Sequence, residues 1–298
     1  MVTFTCVVPT HRRSEFLSLA LKSVLEQDYA PIEIIVVSDC VDPAAQEVCA
    51  DLTRVSPIPL NYIENLDGRG GASSSRNRGA EAASGDYLAF LDDDDLWAQT
   101  YLSAVADLVE ERNLDLVVTW ITEFLGDDLR GGPRMPDGMR AQEVASINPG
   151  ATGSNMVIRA TSWSAVGGFD EELKVKNDTD FLYRVLRSGV RYGTVKNALV
   201  LQRKHQSGQL TARTEKRAAG TEKYLKKHLP SLTAEDVRIL RQQIFRIRFY
   251  AQKKVWIRAW YFLRMMGLYR FGELRAKLVS GRENRHTAVA AFDEDRHG

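Results

Sequence analysis

The sequence predicts an α/β fold, a mostly parallel sheet flanked by helices and followed by a C-terminal helical region. Three observations carry this. Short unbroken apolar runs, Val2 to Val8, Ile32 to Val37 and Tyr87 to Leu91, have the pattern of strands buried on both faces. The first two are joined by a segment of helical apolar spacing, long enough for a right-handed crossover. From Thr233 onward the apolar residues recur at helical spacing only.

Taken in order, Val2 to Val8 is the first strand and Pro9-Thr10-His11-Arg12-Arg13 the turn at its carboxyl end. Ser14 is placed to cap a helix carrying Phe16, Leu17, Ala20, Leu21, Val24 and Leu25 on one face. Ile32 to Val37 is the second strand, closing on Ser38-Asp39. A helix over Pro43 to Leu52 and a short strand over Leu60 to Ile63 follow. After the buried run Tyr87 to Leu91, a helix over Ala98 to Glu111 and a strand over Leu116 to Trp120 are expected. Residues 126–150 are rich in Gly, Pro and charge and read as a loop. Asn155 to Arg159 is strand-like. Phe181, Leu182, Val185 and Leu186 mark a helix that Asp178 or Thr179 caps and Gly189 ends. Residues 192–201 close the sheet. Thr233-Ala-Glu-Asp starts a helix with a cap and an acidic first turn.

At 298 residues the chain can bury a large core, as one large domain or two unequal ones; the division expected is 1–210 and 211–298. Three cysteines scattered through strands and a helix make no disulfide framework. No signal-peptide pattern opens the chain and no apolar run spans a bilayer, so a reducing, cytoplasmic setting is expected. The net charge of +1 hides an asymmetry. Residues 211–285 hold nineteen Lys/Arg and six Asp/Glu, a surplus of thirteen positive charges. Such a split points to an anionic partner for the basic part.

The chemistry concentrates where Tyr87 to Leu91 runs into Asp92-Asp93-Asp94-Asp95. Parallel sheets place ligands at the carboxyl ends of their strands. Adjacent carboxylates repel unless a cation sits among them, and Mg²⁺ or Mn²⁺ completed by substrate phosphates fits such a site. A solvated acidic loop is the alternative. Upstream, Gly68-Arg69-Gly70-Gly71 and Ser73-Ser74-Ser75-Arg76-Asn77 precede an Ala-rich stretch, so free N–H groups and arginines meet at a helix start. That arrangement suits an anion. A flexible glycine linker is the other reading, since the spacing matches neither the Walker loop nor the dinucleotide fingerprint.

Five blocks then occur in a telling order: Val7-Val8-Pro9-Thr10, Ile35-Val36-Val37-Ser38-Asp39, Ser75-Arg76-Asn77, Phe90-Leu91-Asp92-Asp93-Asp94-Asp95, and Gly167-Gly168-Phe169-Asp170-Glu171 with Asn177-Asp178 after it. In this, residues 2–205 resemble a family 2 glycosyltransferase of the Rossmann-like GT-A fold. The resemblance implies that Pro9, Thr10 and Arg12 line a nucleotide pocket and that Asp39 accepts a hydrogen bond from the base. Arg76 would lie by the base or phosphates, Asp92 or Asp93 would hold the ribose, and Asp94 would bind Mn²⁺ or Mg²⁺. It makes Asp178 the catalytic base of an inverting displacement, with Gly168, Phe169 and Asn177 on the acceptor side. His205 is a candidate metal or phosphate ligand, or simply a surface side chain; Asp178 can equally be a helix cap. Ser38 and Asn177 stand where many relatives carry acidic residues. The Gln-x-x-Arg-Trp block of processive synthases is absent, which implies single additions.

The implied partners are a nucleotide-sugar donor, UDP-linked by preference, and a glycan or lipid-linked acceptor of the bacterial surface. A nucleotidyltransferase also joins a glycine-rich loop to paired aspartates, but Pro9 to Arg13 holds no glycine. A non-catalytic sugar-nucleotide scaffold is the other rival. The basic, aromatic-rich C-terminal region carries no recognised nucleic-acid module. It is expected to pack, to form a homodimer through its helices, or to touch an anionic membrane, which would put the protein at the inner face of the cell membrane.

Overall fold

Alternation along the first strand sets the layering. In the computed structural model, which describes residues 1–68, 70–204 and 214–270, β1 (Phe4–Thr10) is buried along its whole length. Phe4, Cys6 and Val8 point to one apolar layer and Val7 to the other, as the two-residue period of a strand requires. The first layer packs α1 (Ser14–Leu25), α2 (Pro43–Val55) and α4 (Tyr101–Arg112) against the sheet through Leu17, Leu21, Cys49, Leu102 and Val105. The second packs α5 (Ala141–Val144) and α7 (Asn177–Arg187), with Phe169, Phe181 and Leu182 at its centre. The helix α3 (Ala72–Ala82) approaches β1 so closely that a Cβ on Gly79 would stand 2.4 Å from Val7 Cγ1.

The remaining strands are β2 (Glu33–Ser38), β3 (Leu60–Glu64), β4 (Tyr87–Phe90), β5 (Leu96–Trp97), β6 (Leu116–Leu125), β7 (Asp128–Gly131), β8 (Met156–Arg159) and β9 (Tyr192–Arg203). Among the described residues they form one sheet in the order β3-β2-β1-β4-β8-β6-β9-β5, with β7 paired to β6. Neighbouring β1, β2, β3 and β4 are parallel, as are β6 and β9; β5, β7 and β8 run against them. The carboxyl ends of β1, β2 and β4 therefore open on the same edge.

Several local expectations are corrected. Ser14 is the first residue of α1 and Arg13 precedes it without a side-chain cap. The helix α7 begins at Asn177 behind Lys176, whose φ of 62° turns the chain in; neither Asp178 nor Thr179 caps it, so both lie inside its first turn. Residues 126–150 are not all loop, since they include β7 and α5. The helix α6 (Ala160–Val166) and the strand β5 are too short to show a period.

The described residues group into two compact units: those up to 204 with 223–232, and 214–222 with 233–270. The sequence division near residue 210 is thus crossed once, by 223–232. In the second unit, α9 (Ala234–Ala251) starts with the expected capping box between Thr233 and Asp236. It packs on α10 (Val255–Met266), and Arg248 pairs with Glu215 and Glu222 of α8 (Glu215–His228) at 2.9 and 3.0 Å.

Candidate active site

The aspartate run leaves β4 with Asp93 and Asp95 buried and Asp92 and Asp94 half-buried. Asp92 accepts a hydrogen bond from Arg76 Nη2. Asp93 Oδ2 accepts from Thr10 Oγ1 at 2.8 Å and from the His11 N–H at 3.2 Å. Arg13 Nη1 lies 3.3 Å from Asp93 Oδ1 and 2.7 Å from Asp94 Oδ2, so one guanidinium bridges the two carboxylates. Burial pushes the Asp93 carboxyl up to about 6, against the bonds from Thr10 and the charge of Arg13. Asp95 turns inward, accepting from Ser154 Oγ at 2.6 Å and from the Arg203 N–H at 2.9 Å. Burial, with Asp92 repelling it, raises Asp95 to about 8. Asp95 ties strands together, Asp93 is buried against Thr10, and the more exposed carboxylates of the run are Asp92 and Asp94.

Arg76 is the centre of the opposite wall. It is 2% exposed on α3, its guanidinium carbon 5.2 Å from the Phe169 ring centroid. Its Nη1 stands 3.6 Å from Asp178 Oδ1 in the first turn of α7. Burial opposes the charge of Arg76, but Asp92 and Asp178 outweigh it and hold the guanidinium above its ordinary value. Burial likewise pushes Asp178 up to about 6, Arg76 drawing it down and Asp92 pushing it further up. Asp178 Oδ1 is enclosed while the side chain as a whole stays 26% exposed. Arg76 Nε, Arg76 Nη1 and Asp178 Oδ1 are buried and find no hydrogen-bond partner among the described residues. Native interiors rarely leave such groups unmatched unless a ligand or water completes them.

At the β2 end, Asp39 Oδ2 accepts from the Gly71 N–H at 2.7 Å and Oδ1 bonds His11 Nδ1. The ligand atoms of His11, Asp39 and Cys40 lie within 4.8 Å of one another, a mixed N, O and S set that suits a borderline ion rather than a hard one. Pro9 and Thr10 end β1 beside this group, paired with Val37 and Ser38. Arg12, at φ 52°, uses its N–H to bond Asp42 Oδ2 at 2.9 Å, and its side chain stays exposed.

The glycine turn is clamped from α3. Asn77 Oδ1 accepts from the Phe169 N–H at 2.8 Å, and its Nδ2 donates to Phe169 O at 2.9 Å and Glu171 Oε1 at 3.0 Å. Gly168 has φ 65°, and a Cβ there would meet Asn77 Oδ1 at 2.7 Å. Phe169 is 2% exposed and stacks on Phe181 at 4.2 Å, so it supports Arg76 from beneath and does not line an acceptor surface. Asn177 donates to Ser73 Oγ at 3.3 Å, linking α7 to α3. His205 lies outside the described residues.

Residues 5–166 match the profile of Glycosyl transferase family 2. The chain belongs to that family. Its relatives include the minor teichoic acid biosynthesis protein GgaB of Bacillus subtilis (strain 168), 23% identical over 219 residues; the match covers 72% of this chain and 24% of GgaB. Among solved structures, S. aureus TarS 1–349 in complex with UDP-GlcNAc aligns with a TM-score of 0.58 at 19% identity, over 89% of this chain and 72% of that one. The mannosyltransferase PcManGT from Pyrobaculum calidifontis, in complex with GDP-Man and Mn²⁺, aligns at 0.61 and 16% identity, over 90% and 81%. Both likenesses establish the GT-A fold for this family 2 chain.

Several residues that hold this candidate site together carry no signal in the sequence. Arg13 reads as an ordinary turn residue until it bridges Asp93 and Asp94. Asp180, fully buried on α7, collects Arg184 Nε at 2.8 Å, Lys227 Nζ at 2.6 Å and His228 Nε2 at 2.6 Å. Its burial would raise it, yet His228, Arg184 and Lys227 hold it down at about 2. Arg184 also donates to Val166 O and Gly168 O at 2.7 Å, so Asp180 fixes α7 and the glycine turn at once. The nearest hint was the acidic repeat Asp178-Thr179-Asp180. Its basic partners on α8 lie almost fifty residues away in sequence.

Proposed function

We propose that the chain moves a sugar from a nucleoside-diphosphate sugar, a UDP-hexose or UDP-N-acetylhexosamine first among candidates, to an acceptor hydroxyl with inversion at the anomeric carbon. The observation that carries it is the buried Arg76 between Asp92 and Asp178, with Arg76 Nε, Arg76 Nη1 and Asp178 Oδ1 making no hydrogen bond among the described residues. Thr10, Asp39 and the turn from Pro9 to Arg12 are assigned to the nucleoside, and Asp92 or Asp93 to the ribose. With a carboxyl at about 6, Asp178 is mostly ionised at pH 7, available to take the proton of an acceptor hydroxyl. Arg76 supplies fixed positive charge where a leaving diphosphate gains negative charge, which favours the transition state over the ground state.

The oxygen-only pair Asp93 and Asp94 fits a hard divalent ion, Mn²⁺ or Mg²⁺, with Asp94 the principal ligand. Arg13, 44% exposed, already brings positive charge to the same oxygens and is free to withdraw. Bound there, the ion would supply charge to the donor diphosphate. PcManGT binds GDP-Man and Mn²⁺ and TarS binds UDP-GlcNAc, which supports a nucleotide sugar and a metal here. GgaB acts in minor teichoic acid biosynthesis, which supports a bacterial cell-surface glycan or glycolipid as acceptor. The test is release of nucleoside diphosphate from UDP-GlcNAc, UDP-glucose and GDP-mannose with Mn²⁺, alongside the thermal shift each produces. At least one donor should stabilise the protein and turn over. Consumption of a nucleoside triphosphate and a sugar phosphate with pyrophosphate release would instead make the chain a nucleotidyltransferase.

A further inference from the structure

Helix α10, Val-Trp-Ile-Arg-Ala-Trp-Tyr-Phe-Leu-Arg-Met-Met, is apolar nearly all round, yet not one of its residues is buried. Val255 is 77% exposed, Trp256 71%, Leu263 68%, Trp260 47% and Phe262 43%. At about 100° per residue these five fall in one arc of roughly 160°. Arg264 and Arg258 stand at the two edges of that arc. The opposite stripe, Ile257, Tyr261 and Met265, is half-buried, and Phe245 of α9 meets the Tyr261 ring at 6.3 Å. The cations lean over the rings: Arg264 over Trp260 at 5.2 Å, Arg258 over Phe249 at 4.9 Å, Lys254 over Trp256 at 5.9 Å. We infer that this face of α10 is a docking surface for an anionic lipid bilayer, on which the helix lies in the plane of the headgroups.

Length and charge select that occupant. Twelve residues extend about 18 Å, well short of the ~30 Å hydrocarbon layer, so the helix lies on the membrane and does not cross it. Aromatic rings with arginines and lysines at the rim match the headgroup boundary, where apolar bodies enter and cations stay with phosphate. Residues 237–272 contain nine Lys/Arg and no Asp/Glu. A second copy of the chain meeting this face about a two-fold axis would set the same patch against itself, cation against cation. An anionic leaflet sets phosphate there instead. Each basic residue near such a surface contributes about 1 kcal/mol.

The experiment is co-sedimentation of the full chain with vesicles of phosphatidylcholine alone and of phosphatidylcholine mixed with phosphatidylglycerol. The protein should pellet with the mixed vesicles only, and 0.5 M NaCl should release it. Arg258→Gln with Arg264→Gln should weaken partitioning by roughly 20- to 30-fold, the effect of two such charges. Trp256→Ser with Leu263→Ser should abolish it while far-UV circular dichroism stays that of the parent. Equal pelleting with both vesicle types, or none with either, overturns the inference. So does a stable dimer in vesicle-free solution that Trp256→Ser with Leu263→Ser dissociates, which would assign the face to a second copy.

Discussion

Arg76 Nη1 stands 3.6 Å from Asp178 Oδ1 while its Nη2 bonds Asp92, so one buried guanidinium joins the end of a strand to the first turn of a helix that lies 102 residues beyond Arg76 itself. The charge state of Asp178 is therefore set by groups that do not neighbour it in sequence.

Asp178→Asn keeps the size of the side chain and removes its basicity. Transfer should fall by roughly 10²-fold or more in kcat, with donor affinity retained in the thermal-shift assay. In the parent, kcat should rise with pH through a midpoint near 6, because the base works only when ionised and its carboxyl sits at about 6. Near-parental turnover by the variant would remove Asp178 from the reaction, and a retained anomeric configuration in the product would count against a single displacement.

Gly153→Ala carries the same relation to a residue with no functional group. A Cβ there would stand 1.8 Å from Arg76 Nη2 and 2.4 Å from its guanidinium carbon, and Arg76 has no open space to retreat into. Both Gly153→Ala and Arg76→Met should shift the acid limb of kcat to higher pH, since Asp178 loses the cation that draws it down. Arg76→Met should also cost about 3 kcal/mol in urea unfolding, the low end for a broken buried pair, because Asp92 keeps 30% exposure. An unmoved pH profile in both variants would mean that Arg76 does not set the state of Asp178.

Chelation and Asp94→Ala address the metal. Turnover should cease in EDTA and return with Mn²⁺ or Mg²⁺ in the parent, and Asp94→Ala should not be rescued by either ion. Full activity in chelator would mean that the Asp93 and Asp94 pair works without a metal ion.

Asp180→Asn tests the support behind α7. The Asp180 carboxyl is held at about 2, below its ordinary value, so its stabilisation is fully present above about pH 4 and fades as pH falls through about 2. The variant should lose ~2 kcal/mol at pH 7, an order-of-magnitude figure from that depression. The gap between parent and variant urea midpoints should narrow between pH 4 and pH 2. A gap independent of pH would mean that the charge of Asp180 is not what holds the helix.

Much of this was legible in the sequence because the signals were local. Tyr87 to Leu91 is an unbroken apolar run, and the aspartates follow it directly, so strand, edge and acidic site came together. The first βαβ unit was equally plain from spacing. What escaped depends on long-range or conformational facts. Lys176 starts α7 from a left-handed backbone that its residue type does not announce, which is why Asp178 read as a cap. Phe169 sat in a motif and read as an acceptor contact, yet an aromatic beside buried Phe90 and Phe181 is claimed by the core. Arg13 could be recognised only once β1 and β4 lay side by side.

The return of residues 223–232 to the first unit has a practical consequence for anyone dissecting the protein. Lys227 and His228, two of the partners of Asp180, and Tyr224, which bonds Ala145 O at 2.6 Å, all lie beyond the end of the family match. A fragment cut at residue 210 would leave the buried Asp180 carboxylate with Arg184 but without Lys227 and His228, and α7 without its backing. Such a fragment should express as an aggregating or inactive protein even though it contains every motif by which the family is recognised. The shortest fragment worth making for the catalytic half ends after Leu232.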